Sequence, residues 1–572
     1  MPAILDSVAV SDDLRRANDR SNRPIVVVAV LLVLGLYAYL LTSAAEHLGI
    51  GPAHQLAERV GVSSLLRFDD NGSLWSSIDV GFAATFARSD DELLAFLLIV
   101  AAAFLSAYLL PLQFKQGALV VWTGLAMWLL YGGFATAGLL FAHLAAYLVL
   151  HPHRDENLPV SAAAGVAGYL AFAAGGGGAL RELTSMAGCG AGCALVYRYG
   201  ILPALSRPRL AAALRFAVVQ SAVIAVAAGV LVAAAGGDFW AYPVGLLLFF
   251  WQWAKLTMYH IDHRDGLVPN NIPLSEYLAV FWSPGLVPNW TWDGTIAQGY
   301  SYTKNNFLCE DKNRLVLGGV KLLVIALVYL WLWDWGRRAA VDFFSGLGIP
   351  VYQASTRALV RGFTRGEEVG TASVLITTLL DLVRWMLLFG SVVHFKVGIW
   401  RICGYRIAPY YHRPWTATNL VVLWPRFAFH FREFLIRGFY YPVFFRFFRK
   451  RPQLRVLAAT MAAAAGNLLF HVVQRLYAKE ASPENVWHVV GMWPYFVLLG
   501  AGIGLTQIWL MRKKRTRRAW TLDRRVFNDI ACAYATVQFF ALIHIFARPV
   551  PASSVADLWR LFLIGFGIHL PR

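Results

Sequence analysis

The chain has 572 residues, of which 58% are hydrophobic and only 15% charged, with a mean hydropathy of +0.53; a soluble domain usually carries about a quarter of charged residues. That composition excludes a soluble protein and describes an integral membrane one. The net charge of +18 has no place inside a bilayer, so the excess of Lys and Arg belongs to loops that set orientation or meet anionic lipid, and it is not a nucleic-acid signature.

A spanning helix takes about 17 to 25 apolar residues. Such runs fall at 25–43, 93–110, 118–133, 134–150, 161–180, 217–235, 239–256, 315–333, 371–393, 456–474, 486–510 and 526–547, with a weaker one at 558–570. The first follows Arg15, Arg16, Arg20 and Arg23 without a small-residue cleavage site, which predicts an anchor rather than a signal peptide. Basic residues also gather in 198–215, in "RFFRKRPQLR" (446–455) and in "MRKKRTRRAWTLDRR" (511–525). These loops are expected on the cytoplasmic side. The loop at 44–92 holds eight acids against three bases and suits the opposite face.

Two regions break the pattern. Residues 257–314 and 394–455 are rich in aromatics and Pro, with scattered Arg, His and Tyr at a density a lipid-facing helix cannot carry. Irregular backbone at membrane depth is tolerated only inside protein or along a cavity. The expected fold is therefore all-α, a polytopic transmembrane helical bundle of about 11 to 13 spans with re-entrant or in-plane helices around a central chamber.

Within the second region, "GYRIAPYYHRPWTATNLVVLWPRFAFHFREFLIRGFYYP" (404–442) runs from Arg413-Pro414-Trp415 through Trp424-x-Arg426 to Tyr440-x-Pro442. Upstream lies "SEYLAVFWSPGLVPNWTWDG" (275–294), and downstream "AAGNLLFH" (464–471) with Gly466 and His471. In this order and spacing the three stretches resemble the membrane-bound O-acyltransferase superfamily, in particular its bacterial alginate and peptidoglycan O-acetyltransferases and teichoic-acid D-alanyl transferases. The resemblance covers residues 95–510 as an acyltransferase core. Around it lie a cytoplasmic segment (1–24), a first transmembrane helix with an extracytoplasmic loop (25–94), and a basic cytoplasmic loop with C-terminal transmembrane helices (511–572). One departure stands out: where the bacterial branch carries its first motif His, this chain has Ala428, and the nearest His is His430. Two residues turn about 200° on a helix, so on a continuous helix His430 faces nearly the opposite way.

The resemblance implies transfer of an acetyl or short acyl group from a cytoplasmic thioester, acyl-CoA or an acyl-carrier-protein thioester, to a hydroxyl of an extracytoplasmic glycan or lipid. The protein would act as a multi-pass protein of the cell (inner) membrane. His471 is the expected general base and His430 a second catalytic candidate; Trp424, Arg426 and Asn467 are the expected substrate-binding residues. His471 lies inside an apolar run, and an ionisable residue there marks a functional site. Asn467, Gln474 and Arg475 share its helical face. No bound cofactor and no metal are implied. The partners expected are membrane lipid, the thioester donor and an extracytoplasmic acyltransferase that completes the transfer, with no nucleic acid. A non-catalytic conduit built on the same plan, or a transporter or scramblase, is the alternative. No internal repeat of the kind transporters show is visible.

Other strings carry less. The scattered Cys189, Cys193, Cys309, Cys403 and Cys532 read as small apolar residues. "HIDHRD" (260–265) offers two His without a third ligand. "GGGG" (174–177) sits in an apolar run, where it suits close helix packing. "NGS" (71–73) and "NWT" (289–291) are glycosylation sequons that matter only in a secretory pathway.

Overall fold

The computed structural model describes residues 23–46, 90–152, 157–172, 179–215, 217, 254–281, 299–306, 312–478, 490–512, 526–548, 550 and 553–570. Among these residues the structure is helical, with no strand. The expected spans at 217–235 and 239–256 lie outside the described residues except at 217 and 254–256, as do most of the 44–92 loop and of the basic run 511–525.

The first half comprises α1 (Arg23–Glu46), α2 (Asp90–Leu109), α3 (Leu112–Leu150), α4 (Leu158–Phe172) and α5 (Ala179–Val196). Then come three short helices, α6 (Ala254–Arg264), α7 (Leu274–Phe281) and α8 (Tyr300–Asn306). The second half starts with α9 (Lys312–Trp331), α10 (Arg337–Gly346), α11 (Thr356–Thr364) and α12 (Thr371–Ile402). It continues with α13 (Leu420–Phe427), α14 (Phe429–Leu435), α15 (Tyr441–Arg446), α16 (Pro452–Ala478), α17 (Trp493–Arg512), α18 (Val526–Ile543) and α19 (Val555–Ile564). Among the described residues, four helices are long and apolar enough to cross a membrane: α9, α12, Pro452–Val472 of α16, and α17. Shorter apolar helices include Pro24–Ala38, Ala95–Leu109 and Phe527–Ile543.

Several boundaries differ from the sequence reading. The runs 118–133 and 134–150 are one 39-residue helix, α3; Gly132 and Gly133 each cost a helix only about 1 kcal/mol relative to Ala, too little to end one between strong helix formers. The span read as 371–393 continues to Ile402. The polar side chains of its last turns are covered: His394 and Lys396 are buried in protein, and Arg401 donates from Nε and Nη2 to the Ile407 carbonyl at 3.0 and 2.9 Å. Of the run 161–180, residues 161–172 belong to α4 and 179–180 to α5, and the residues between lie outside the described ones.

The second-half core is centred on the crossing of α9 with α12, against which α1 also packs. Glycines permit the approach. A Cβ on Gly319 would lie 2.7 Å from the Gly398 carbonyl oxygen, and one on Gly398 would lie 2.8 Å from Leu323 Cγ. Small residues at such crossings let backbones come close when no hydrophobic drive holds helices together in lipid. Two hydroxyls add to the contact: Tyr37 Oη donates to the Leu323 carbonyl and Ser391 Oγ to the Ala326 carbonyl, each at 2.8 Å. A Gly319→Leu substitution should force the helices apart against backbone, at a cost of about 3 kcal/mol. It should appear as a lowered Tm of the detergent-solubilised protein, whereas Gly336→Leu, where a Cβ meets nothing within 4 Å, should leave Tm near that of the parent.

Candidate functional site

The segment 404–446 is built from short pieces. After α12 the chain runs as a loop with a 3-10 turn at Pro414–Thr416, then α13, whose N-cap Asn419 accepts from Val422 N at 3.0 Å. Pro425 lies inside α13, where it removes one helical N–H donor, and the helix stops at Ala428, at φ −149° and ψ 63°. The expected continuous helix over 424–434 is therefore two helices, so rotation about a single axis does not relate Ala428 to His430. The break is closed by the preceding loop: Phe429 N donates to the Tyr410 carbonyl at 3.1 Å and His412 N to the Arg426 carbonyl at 2.7 Å.

After α14 the backbone makes a π turn at Ile436–Tyr440 before α15. Such turns inside helices concentrate at functional sites. Gly466 on α16 fits here for a steric reason, since a Cβ would lie 2.7 Å from the Phe439 ring carried by this turn. On its other side α16 packs on α17, with Gly500 against Ala464 and Gly504 against Thr460.

Between α13, α14, the π turn, α15, α16 and α17 lies a cavity of about 310 Å³, the size of a small-molecule site. Its apolar wall includes Trp424, Ile436, Phe444, Ala463 and Leu499; its polar groups are Arg432, Tyr440, Thr460, Asn467 and Gln507. Arg432 pairs with Glu433, and Gln507 Nε2 donates to Tyr440 Oη at 3.4 Å. Asn467 is 2% exposed and its Oδ1 is buried without a hydrogen-bond partner, the state of an acceptor kept for a ligand.

Of the residues singled out by sequence, Trp424 and Asn467 line this cavity. Arg426 does not; its Nη1 is engaged with Thr416, by the carbonyl at 3.2 Å and by Oγ1. His430 is fully buried away from it, with Nε2 2.9 Å from the Ala408 carbonyl and its ring among Tyr302, Tyr410 and Phe429. Burial pushes its imidazole below the usual range, more than the Ala408 carbonyl raises it. His471 sits one turn beyond Asn467 on α16 and is not part of the cavity wall. Its ring centroid lies 5.7 Å from Phe470 and 5.4 Å from Phe496. The side chains of Gln474 and Arg475 lie outside the described residues.

His544, just past α18, was not singled out by sequence. Its ring lies 5.0 Å from Tyr495, the neighbour of the Phe496 that packs on His471, and its Nδ1 lies 2.6 Å from the Phe540 carbonyl. With Nδ1–H donated there, Nε2 carries the lone pair. Nothing in the sequence flagged it, because it falls outside the motif-bearing stretches. Arg432 and Gln507 were missed for another reason: only the packing of α14 and α17 brings them to Asn467.

The π turn is anchored from behind. Arg437 Nη2 meets Asp262 Oδ1 at 2.6 Å, and the other oxygen of this fully buried carboxylate accepts from Ser301 N at 3.1 Å and Ser301 Oγ at 3.0 Å. The "HIDHRD" stretch thus contributes a buried anion that holds α6, α8 and the π turn together. Among the described residues no three His, Cys, Asp or Glu side chains group as metal ligands.

No family model matches the sequence, and no curated protein matches it. Breaking a buried pair by removing one partner costs about 3 to 5 kcal/mol, while replacing both by apolar groups is often near neutral. Asp262→Ala should therefore lower thermal stability sharply, and the Asp262→Leu/Arg437→Met pair should recover most of it; equal losses in the single and paired variants would mean that the ion pair is not the anchor.

Proposed function

We propose that this chain is a membrane-embedded O-acyltransferase that carries an acetyl or short acyl group from a cytoplasmic thioester to a hydroxyl of an extracytoplasmic glycan or lipid. In this reading it is a multi-pass protein of the cell (inner) membrane, and the short helices of 254–306 and 404–446 lie re-entrant or in plane within a bundle of about 11 to 13 spans. One observation supports it above the others. Trp424 and Tyr440 of the 404–442 stretch and Asn467 of the 464–471 stretch, the two stretches that carry the family resemblance, share the wall of a single ligand-sized cavity.

The chemistry assigned to these residues is direct transfer. The acceptor hydroxyl oxygen attacks the thioester carbonyl carbon while its proton passes to the neutral imidazole of His471. The oxyanion so formed needs fixed donors, a role assigned to the Asn467 amide and the Arg432 guanidinium of the cavity wall. Collapse breaks the C–S bond, and the imidazolium returns its proton to the departing thiolate. Acyl-CoA and an acyl-carrier thioester are both anionic, which suits the basic cytoplasmic loops. An extracytoplasmic partner acyltransferase would take the acyl group onward to its final acceptor.

The second reading is a conduit without catalysis, or a transporter or scramblase. Two observations favour it: Ala428 stands where the related enzymes carry a His, and His471 lies a turn beyond the cavity wall. Purified full-length protein given acyl-CoA decides between them by thiol release with and without acceptors. Removing a general base costs about 10² to 10⁴ in rate, so His471→Gln should lose thiol release by that factor while remaining folded. His430→Ala should keep a rate close to the parent's per folded molecule, with a lower Tm. Turnover by His471→Gln near that of the parent would remove the base assignment, and absence of thiol release from the parent protein would favour the conduit.

A further inference from the structure

Beside the cavity lies a second group of polar side chains that the proposed chemistry does not use. Trp424 lines the cavity and its ring stacks on that of Phe427, three residues on, at 6.1 Å; Phe427 in turn packs its ring 5.9 Å from Tyr411 and 5.3 Å from Phe389. Tyr411 in turn lies edge-on to His394 of α12 at 6.1 Å, and His394 lies 5.4 Å from Tyr329 of α9. Gly390, one turn before His394, makes room for both tyrosines, since a Cβ there would lie 2.8 Å from Tyr329 and 3.5 Å from Tyr411.

Two atoms in this group have no hydrogen-bond partner: Tyr411 Oη and His394 Nδ1. Tyr411 is 2% and His394 6% exposed. Buried polar atoms are paired in the great majority of cases, and an unpaired one is costly. The neighbouring His412, Arg413 and Trp415 are exposed, and the Trp415 ring lies 6.1 Å from Tyr411. Arg413 holds a left-handed φ of 47° directly before Pro414, a conformation disfavoured twice over and fixed by Thr416, whose N and Oγ1 donate to the Arg413 carbonyl at 3.1 and 2.8 Å.

We infer that His394 and Tyr411 form a binding site for a hydroxyl group of a sugar or polyol, entered past His412, Arg413 and Trp415. A hydroxyl both donates and accepts, as do a phenol and a neutral imidazole, and aromatic walls with few polar groups are the usual make-up of such pockets. An anion fits less well, because the two buried groups carry no charge and a buried anion needs a paired cation. As the place where the acceptor glycan is recognised, away from proton transfer, this site rests on the acyltransferase reading. As a hydroxyl-binding site it stands without it.

The test uses the purified full chain in a detergent without sugar headgroups, with methyl β-glucoside and glycerol as probes followed by saturation-transfer NMR. The probes should bind the parent protein. Tyr411→Phe, which removes only the hydroxyl, and His394→Gln should each weaken binding about tenfold, the effect of one lost hydrogen bond. His471→Gln should bind as the parent does. Thiol release absent from the parent would sink the acyltransferase reading and the acceptor role, while probe binding still decides the hydroxyl site. No binding by the parent, equal binding by parent and Tyr411→Phe, or displacement of the probe by inorganic phosphate would overturn the site. If Tyr411→Phe does not run as a single species on gel filtration, His394→Gln and phosphate displacement on the parent carry the decision.

Discussion

Backbone amides that leave a helix in apolar surroundings must find partners within the protein, because no water is there to take them. The end of α13 is where this requirement shapes the molecule most. Pro425 and the extended Ala428 release backbone groups in a buried place, and the loop at 410–412 runs alongside and takes them up through the Phe429–Tyr410 and His412–Arg426 bonds. Those two bonds fix the loop against the helix end. They thereby set Tyr411 beside Phe427, whose ring also stacks on the cavity-lining Trp424. The cavity and the His394–Tyr411 pair both adjoin this interrupted helix.

Sequence reading found the long apolar helices because hydrophobic run length is a local property. It placed α9, α16 and α18 to within about four residues, and it marked 257–314 and 394–455 as unlike ordinary spans, where the described residues form short helices of six to eleven residues. It ended the span of α12 at residue 393, because the aromatic, His and Arg density beyond is one a lipid-facing helix cannot carry, and only tertiary packing shows the helix running on to Ile402 inside protein. The split of α3 was wrong for a similar reason: glycine propensity weakens a helix without ending it.

For the site, motif spacing led to Trp424, and the helical face shared with His471 led to Asn467; both line the cavity. The same spacing led to Arg426, whose guanidinium is spent on Thr416, and to His471, which lies a turn further on. Arg432, Gln507 and His544 could not be read from the chain, because their relevance arises from which helices become neighbours. Asp262 is the instructive case. The "HIDHRD" string draws the eye to its two His, which lack a third ligand, yet it is its buried carboxylate that holds the turn that carries Tyr440.

That turn also explains how one wall of the cavity can be so long. Arg432, Ile436, Tyr440 and Phe444 all face it, each four residues after the last. On an uninterrupted α-helix a four-residue step overshoots a full rotation by about 40°, so the fourth member would be out of phase with the first by about 120°. The single wide turn at Ile436–Tyr440 takes up roughly one extra residue, about 100° of that drift. The four side chains then fall back into phase, and a stripe that would otherwise spiral off the cavity runs straight along it.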